Sequence, residues 1–253
     1  MERDKPILKS LYKGLKLLDH FDATHPERGV KELADLSGML KSTVYNILNT
    51  LQLCGFLEKS AAAGKYRLGR KILELNSVLV SVDETRRIIK PFMDRLAEDC
   101  NETVYFAQPH GLEVSYIDSS EPKSALGTRV IAGVRAEMYC TGLGKAMLAF
   151  LGEDVIREVL AQKKTAYTPY TLTDEQALLH ELEETRRRGY AIDNMEHEYG
   201  IRCVAMPLRN HQGRLFGAIS ISGPSLRITD EVIVQFAEKL AAAAQAIQTQ
   251  IRY

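Results

Sequence analysis

Lys41, Ser42, Thr43, Tyr45, Asn46 and Asn49 surround an apolar stripe of Val44, Ile47, Leu48 and Leu51 spaced i, i+3, i+4, i+7. A helix over this stretch therefore turns one face to a core and the other outward. Short hydroxyl and amide side chains, with one cation and one aromatic, are the set that reaches base edges and phosphate oxygens when a helix enters the major groove. A second chemistry-bearing set lies further along. Ile201, Cys203, Ser220 and Ser222 alternate with apolar residues in two strand-like runs, and Asp193 and Glu196 are acceptors just before them. Thr141 heads the run Gly142-Leu-Gly-Lys-Ala-Met-Leu and can cap a helix whose free N–H groups suit an anion. Hydroxyls, a thiol and a carboxylate beside a helix start have the chemistry to hold a small carboxylate or hydroxyl ligand.

The elements that must position the first set are readable around it. Val30, Leu33, Ala34 and Ser37 predict a shorter helix, and Gly38 supplies the turn between the two, which makes a helix-turn-helix. Gly55-Phe-Leu-Glu-Lys and Lys65-Tyr-Arg-Leu predict a β-hairpin wing across Ser60–Gly64, with Lys65 and Arg67 placed to touch the sugar-phosphate backbone. Leu8, Leu11, Leu15, Leu18 and Phe21 predict an opening helix that completes a three-helix core. Ile72, Leu75, Leu79 and Val82 recur at near-heptad spacing and predict a linking helix packed against a partner copy or the first helix. The alternative for the whole unit is an ordinary helical hairpin with a solvated polar face. The expected division is residues 1–71 for the winged helix-turn-helix, 72–84 for the linker helix and 85–253 for a second domain.

That second domain mixes strands and helices without strict β-α-β alternation, which predicts an α+β fold with an antiparallel sheet. Strands are expected at 103–108, 113–118, 190–194, 201–208 and 215–222. Helices are expected at about 86–99, after a capping box at Thr173-Asp-Glu-Gln, and from Thr229 onward. If Arg209 pairs with Arg214, Cys203 lies opposite Ser220 and Ile201 opposite Ser222, all four on one face, with Val204, Met206, Ile219 and Ile221 on the other. Gly144-Lys145 does not open a phosphate loop, because Tyr139 and Ala146 stand where that pattern needs glycine and a hydroxyl residue. Asp193, Glu196, His197 and Cys203 could instead bind a metal, but no ligand spacing on a defined helix supports it.

Lys and Arg equal Asp and Glu over the whole chain, yet residues 1–71 hold 13 basic against 8 acidic residues. The basic excess sits with the helix-turn-helix, and the acidic remainder limits non-specific sticking to DNA. The four cysteines have no C-x-x-C spacing, which points to a reducing cytoplasm rather than a zinc or disulfide framework. No apolar leader follows Met1 and no apolar run approaches membrane-spanning length. No nucleophile, base and orienter occur in motif spacing.

With these residues laid out, the chain resembles the IclR family of bacterial transcriptional regulators over nearly its full length. The resemblance rests on Gly14-Leu-Lys-Leu-Leu-Asp, Leu40-Lys-Ser-Thr-Val-Tyr, Gly55-Phe-Leu, Tyr66-Arg-Leu-Gly, Gly144-Lys-Ala-Met-Leu-Ala, Arg188-Gly-Tyr-Ala-Ile-Asp-Asn-Met-Glu, Gly200-Ile-Arg-Cys-Val-Ala-Met-Pro and Gly217-Ala-Ile-Ser-Ile-Ser-Gly-Pro. Within the family it is closest to regulators of sugar-acid catabolism. It implies a winged helix-turn-helix joined to a GAF-like, profilin-like effector domain, acting as a homodimer or dimer of dimers on a palindromic operator in double-stranded DNA. It also implies effector contacts at Thr141, Gly142, Asp193, Cys203, Ser220 and Ser222, with no cofactor. Asn46 departs from the arginine that many members carry there, so a known operator sequence does not transfer. The expectation is a repressor of a catabolic operon controlled by a small hydroxy- or keto-acid, or by an aromatic acid if Leu126, Met138 and Tyr139 line the site. The alternatives are an enzyme, or a ligand-free DNA-binding scaffold.

Overall fold

Gly38, at φ +67°, ends helix α2 (Val30–Ser37), and three residues later α3 (Lys41–Leu53) begins. This is the predicted helix-turn-helix, and the left-handed turn is one that glycine adopts without the Cβ penalty. The computed structural model describes residues 8–22, 24–60, 64–75, 84–122 and 134–251. It divides into two units, Met1–Asp83 and Glu84–Tyr253.

In the first unit α1 (Lys9–Leu18) and α2 pack with α3 around Leu17, Phe21, Leu33, Ala34, Val44 and Leu48, closed by Leu57 and Tyr66. The wing is a three-stranded antiparallel sheet, with β3 (Lys65–Leu68) between β1 (Glu27–Gly29) and β2 (Leu57–Lys59). The expected two-stranded hairpin thus gains a strand from a stretch that reads in sequence only as a breaker. The expectation for α1 needs correcting. Leu8, Leu11 and Leu15 are 63%, 57% and 51% exposed, and the core face is Gly14, Leu17 and Phe21. Gly14 faces α3, where a Cβ would make ordinary contact 3.6 Å from Ile47 Cγ2, and Leu17 and Phe21 fill the core on the same side. Residues 71–75 are helical; the remainder of the expected linker helix, with Leu79 and Val82, lies outside the described residues, as does the wing tip at 61–63.

The second unit is built on one six-stranded antiparallel sheet in the order β6-β5-β4-β9-β8-β7. Its strands are β4 (Thr103–His110), β5 (Glu113–Ser120), β6 (Arg135–Glu137), β7 (Ala191–Asn194), β8 (Ile201–Arg209) and β9 (Leu215–Pro224). Alternation sends Val104, Phe106, Val204, Ile219 and Ile221 to one face, under α4 (Glu84–Cys100) and α8 (Asp230–Gln250). The other face, with Tyr105, Ala107, Cys203, Ala205 and Ala218, is covered by α5 (Gly142–Leu148), α6 (Glu153–Ala161) and α7 (Glu175–Arg188). Thr229 caps α8 by accepting from Val232 N, as expected, whereas α7 is capped by Asp174 and not by Thr173. Among the described residues no helix is long and apolar enough to cross a membrane.

The β8–β9 register differs from the expected one by two residues. Cys203 pairs with Ser222, Ala205 with Ser220 and Ile201 with Pro224. The turn closes one residue later than expected, with Asn210 N donating to Arg214 O, and Phe216 is an extra residue bulged between Leu208–Gly217 and Arg209–Leu215. A slip of two residues preserves every side chain's face, so the polar set stays together although its partners change.

Where β3 leaves the wing, a Cβ on Gly69 would lie 2.2 Å from Gly55 O and 3.1 Å from Leu57 C, both backbone atoms that cannot swing aside. Gly69→Ala is expected to destabilise the N-terminal unit by about 1–3 kcal/mol. Urea denaturation followed by circular dichroism checks this, and an unchanged first transition would disprove it.

Candidate nucleic-acid interface and effector site

Helix α3 presents Lys41, Ser42, Tyr45 and Asn46 to solvent at its N-terminal half, where the first-turn amides also point outward. Thr43 is half-buried and, with Asn46, borders a groove of about 600 Å³ between α1 and α3. Lys65 is exposed on the wing. Arg67 is exposed too but lies 3.3 Å from Glu58 Oε2 across the strand pair, so a phosphate would compete with that carboxylate. Asn49, two turns beyond Ser42, receives a 3.3 Å hydrogen bond from the buried Tyr66 hydroxyl.

In the second unit the sheet register lines up four polar side chains. Thr103 pairs with Ser222, Ser222 with Cys203, and Cys203 with Asp193, one residue from each of β4, β9, β8 and β7. In the adjacent row Tyr105 and Ala205 flank Ser220. Helix α5 begins directly above. A Cβ on Gly142 would lie 2.9 Å from Cys203 Sγ and 3.5 Å from Asp193 Cβ, so only glycine permits this approach. Thr141 is the cap, its hydroxyl donating to Glu137 O and accepting from Gly144 N, and it is therefore engaged in structure. Ile201 shares the face by alternation but stands half-buried beyond the row. Thr141, Gly142, Asp193, Cys203, Ser220 and Ser222 are thus assembled in one place, with Ile201 at its margin.

Two features escaped the sequence. Thr103 is fully buried and its Oγ1 has no hydrogen-bond partner, while Ser220 Oγ, equally buried, meets only the weakly bonding thiol of Cys203. Period-2 alternation placed Thr103 on some face of a strand but could not say that β4 pairs with β9. The other is Lys145, which is fully buried and ion-paired to Glu196, with Glu181 Oε1 at 3.7 Å and Arg188 2.5 Å from that same oxygen. A lysine inside an otherwise apolar helix was the available signal. Glu196 is turned inward by its loop, in which Met195 adopts φ +62° and Thr168 and Thr171 donate to the carbonyls of Met195 and Glu196, each at 2.6 Å. Glu196 N in turn donates to Asp193 Oδ1 at 2.7 Å.

Electrostatics follow from this burial. Loss of solvent pushes the Asp193 carboxyl from 3.8 up to about 7, with the Lys145 ammonium opposing the shift and Glu196 adding to it. Burial likewise raises Glu196, again opposed by Lys145, and pushes the Cys203 thiol up to about 12, so this sulfur is an unreactive thiol. Burial lowers His197, whose ring packs against Tyr167 with centroids 5.4 Å apart. Among the described residues no group of three or more His, Cys, Asp or Glu is arranged to hold a metal ion.

A winged helix-turn-helix with a polar outward helix, followed in the same chain by an α+β domain, defines a DNA-binding transcriptional regulator. Residues 10–61 match the IclR helix-turn-helix domain and residues 77–249 the C-terminal domain of bacterial IclR transcriptional regulators, and the chain belongs to that family. It is 34% identical over 249 residues to the HTH-type transcriptional regulator XynR of Escherichia coli (strain K12), covering 98% of this chain and 99% of XynR. It is 32% identical over 243 residues to the transcriptional repressor IclR of the same strain, covering 95% and 89%. Among solved structures, Thermotoga maritima IclR matches with TM-score 0.75 at 31% identity, over 96% of this chain and 99% of its own. An IclR homologue from Microbacterium hydrocarbonoxydans, complexed with 4-hydroxybenzoate, matches with TM-score 0.81 at 25% identity, over 95% and 98%. The chain is accordingly a regulator and not an enzyme.

Asp193 gives a pH signature. Between pH 3.8 and about 7 the unfolded chain has released a proton that the folded chain still holds, so stability falls as pH rises through this window and levels off above it. Asp193→Asn is expected to flatten this fall and to be more stable than wild type at pH 8. Urea titrations from pH 5 to 8 check it; two curves of the same shape would disprove it.

Proposed function

We propose that this regulator is a repressor of a catabolic operon, released from its operator by a small carboxylate held at the polar row of the second domain. The observation that carries this reading is the buried Thr103 hydroxyl without a partner and the buried Ser220 hydroxyl with only the Cys203 thiol, beside Asp193 and the start of α5. Buried polar groups are almost always hydrogen-bonded, and a ligand's oxygens supply what the chain does not. In this reading Ser220 and Ser222 donate to a carboxylate or keto oxygen, and the amides of Gly142 and Leu143 share its charge. Asp193 accepts from a ligand hydroxyl, with Cys203 packed beside it and Ile201 at the rim. The repressors among its relatives support the sign of regulation, and the homologue bound to 4-hydroxybenzoate supports an acid as ligand.

The same reading takes the working unit as a homodimer or dimer of dimers on a palindromic operator. One recognition helix selects too few bases in a genome, and two in adjacent major grooves multiply the selection. Leu8, Leu11, Tyr12 and Leu15 form an exposed apolar stripe on α1 at i, i+3, i+4, i+7, which a second copy would cover. Ile72 and Leu75 are offered as further seam residues. Cytoplasmic location follows from binding the chromosome.

Thermal shift against a panel of small hydroxy-, keto- and aromatic carboxylates tests the site. At least one compound is expected to stabilise the wild type. Ser220→Ala is expected to keep the fold and operator affinity while weakening that compound by about 0.5–1.5 kcal/mol, or about 1.5–3 if the bond is charge-assisted. A variant that binds like wild type would remove Ser220 from the site. For the oligomer, Leu11→Asp with Leu15→Asp is expected to lower the mass measured by light scattering and to weaken operator binding. An unchanged mass would place the seam elsewhere.

A further inference from the structure

Asn49 differs from the other outward residues of α3 in having its amide held from behind. Tyr66 stands in the central wing strand with its ring in the N-terminal core, 3% exposed, and its hydroxyl reaches Asn49 Oδ1 at 3.3 Å. A buried phenol needs an acceptor for its proton. Burial raises the Tyr66 pKa, with the neighbouring Tyr45 adding to it, so the hydroxyl keeps that proton throughout the physiological range. The opposite orientation of the amide would set the Asn49 NH2 against Tyr66 and leave the phenol proton without this acceptor. The oxygen of Asn49 is therefore turned toward the wing and its NH2 away from it. Seven residues separate Asn49 from Ser42, two helical turns, so both lie on the same side of α3.

This orientation changes what an asparagine can read. A free asparagine pairs with adenine by accepting from N6 and donating to N7. An amide oxygen can accept twice, but with Oδ1 turned toward Tyr66 the end of the Asn49 amide left facing away from the wing is the NH2, and the major-groove edge with two adjacent acceptors is that of guanine, at N7 and O6. We propose that Asn49 is a specificity-determining residue that reads guanine in each operator half-site, and that Tyr66 is the positioning residue that sets this choice. The inference rests on α3 entering the major groove and is independent of the effector site. It also gives the wing a role beyond phosphate contact, since its central strand sets the donor pattern of the recognition helix.

In vitro selection from random duplex DNA with the full-length protein, followed by affinity measurements on single base-pair variants of the selected site, tests this. The wild type is expected to prefer guanine over adenine by about tenfold at one position in each half-site. Asn49→Ala should bring all four bases there to within about twofold, leaving other positions unchanged. Tyr66→Phe, which keeps the ring and frees the amide, should move the preference at that position to adenine. Asn49→Asp keeps the bond from Tyr66 but turns an acceptor outward, and should move it to cytosine, so orientation is tested even if Tyr66→Phe fails to fold. Asn49→Ala retaining the wild-type preferences would overturn the assignment of Asn49. If Asn49→Ala loses the preference while a folded Tyr66→Phe and Asn49→Asp both keep guanine, the role of Tyr66 is overturned. A wild type that selects no sequence at all would overturn the major-groove reading and this proposal with it.

Discussion

A lysine ammonium cut off from water governs the architecture of the second domain. Lys145 is fully buried, and a buried charge left without a partner costs several kcal/mol. Glu196 and Glu181 answer this from two different elements, and Arg188 steadies Glu181 in turn. Satisfying the lysine therefore ties α5 to α7 and to the loop after β7. It also fixes where Asp193 lies, since the Glu196 amide that donates to it belongs to the same turn. The strained backbone at Met195 and the two threonines that hold its loop are the means by which Glu196 reaches inward. The position of Asp193 thus descends from one buried cation, while its charge state is set first by burial, which that cation opposes.

The N-terminal unit was legible because its signals are local. The glycine at 38, the stripe Val44–Leu51 and the hydroxyl-rich start of α3 are read within thirty residues of chain, and helix periodicity carries them into space without further information. What failed there failed for tertiary reasons. The leucines of α1 look like a core stripe by spacing alone, and only the packing of Gly14, Leu17 and Phe21 shows that the helix is rolled away from them. Strand β1 has no propensity signal, and exists because the wing strand offers it hydrogen bonds.

In the second unit, face was legible and partnership was not. Alternation correctly put Cys203, Ser220 and Ser222 on one side, and residue chemistry marked Asp193 and the start of α5, which the resemblance alone grouped with them. The pairing of β4 with β9 joins segments more than a hundred residues apart, and no pattern within either strand encodes it. Thr103 was therefore invisible as a neighbour of Ser222, and the bulge at Phe216 shifted partners that a simple turn count had assigned. In sequence Lys145 shows only a glycine-lysine pair that fails as a phosphate loop. Its burial was hidden because the two glutamates that permit it lie 36 and 51 residues away.

The polar row also sets an order of events during synthesis. Its four strands include one from the start of the second unit and one that closes just before the last helix, and β4 takes its place only when β9 arrives to lie beside it. Non-local pairings of this kind form late and slowly, whereas the three helices of the first unit close through short-range contacts. A growing chain consequently completes its helix-turn-helix unit while the polar row still lacks β9. Chains interrupted between the wing and β9 would carry the whole helix-turn-helix unit and only part of the polar row.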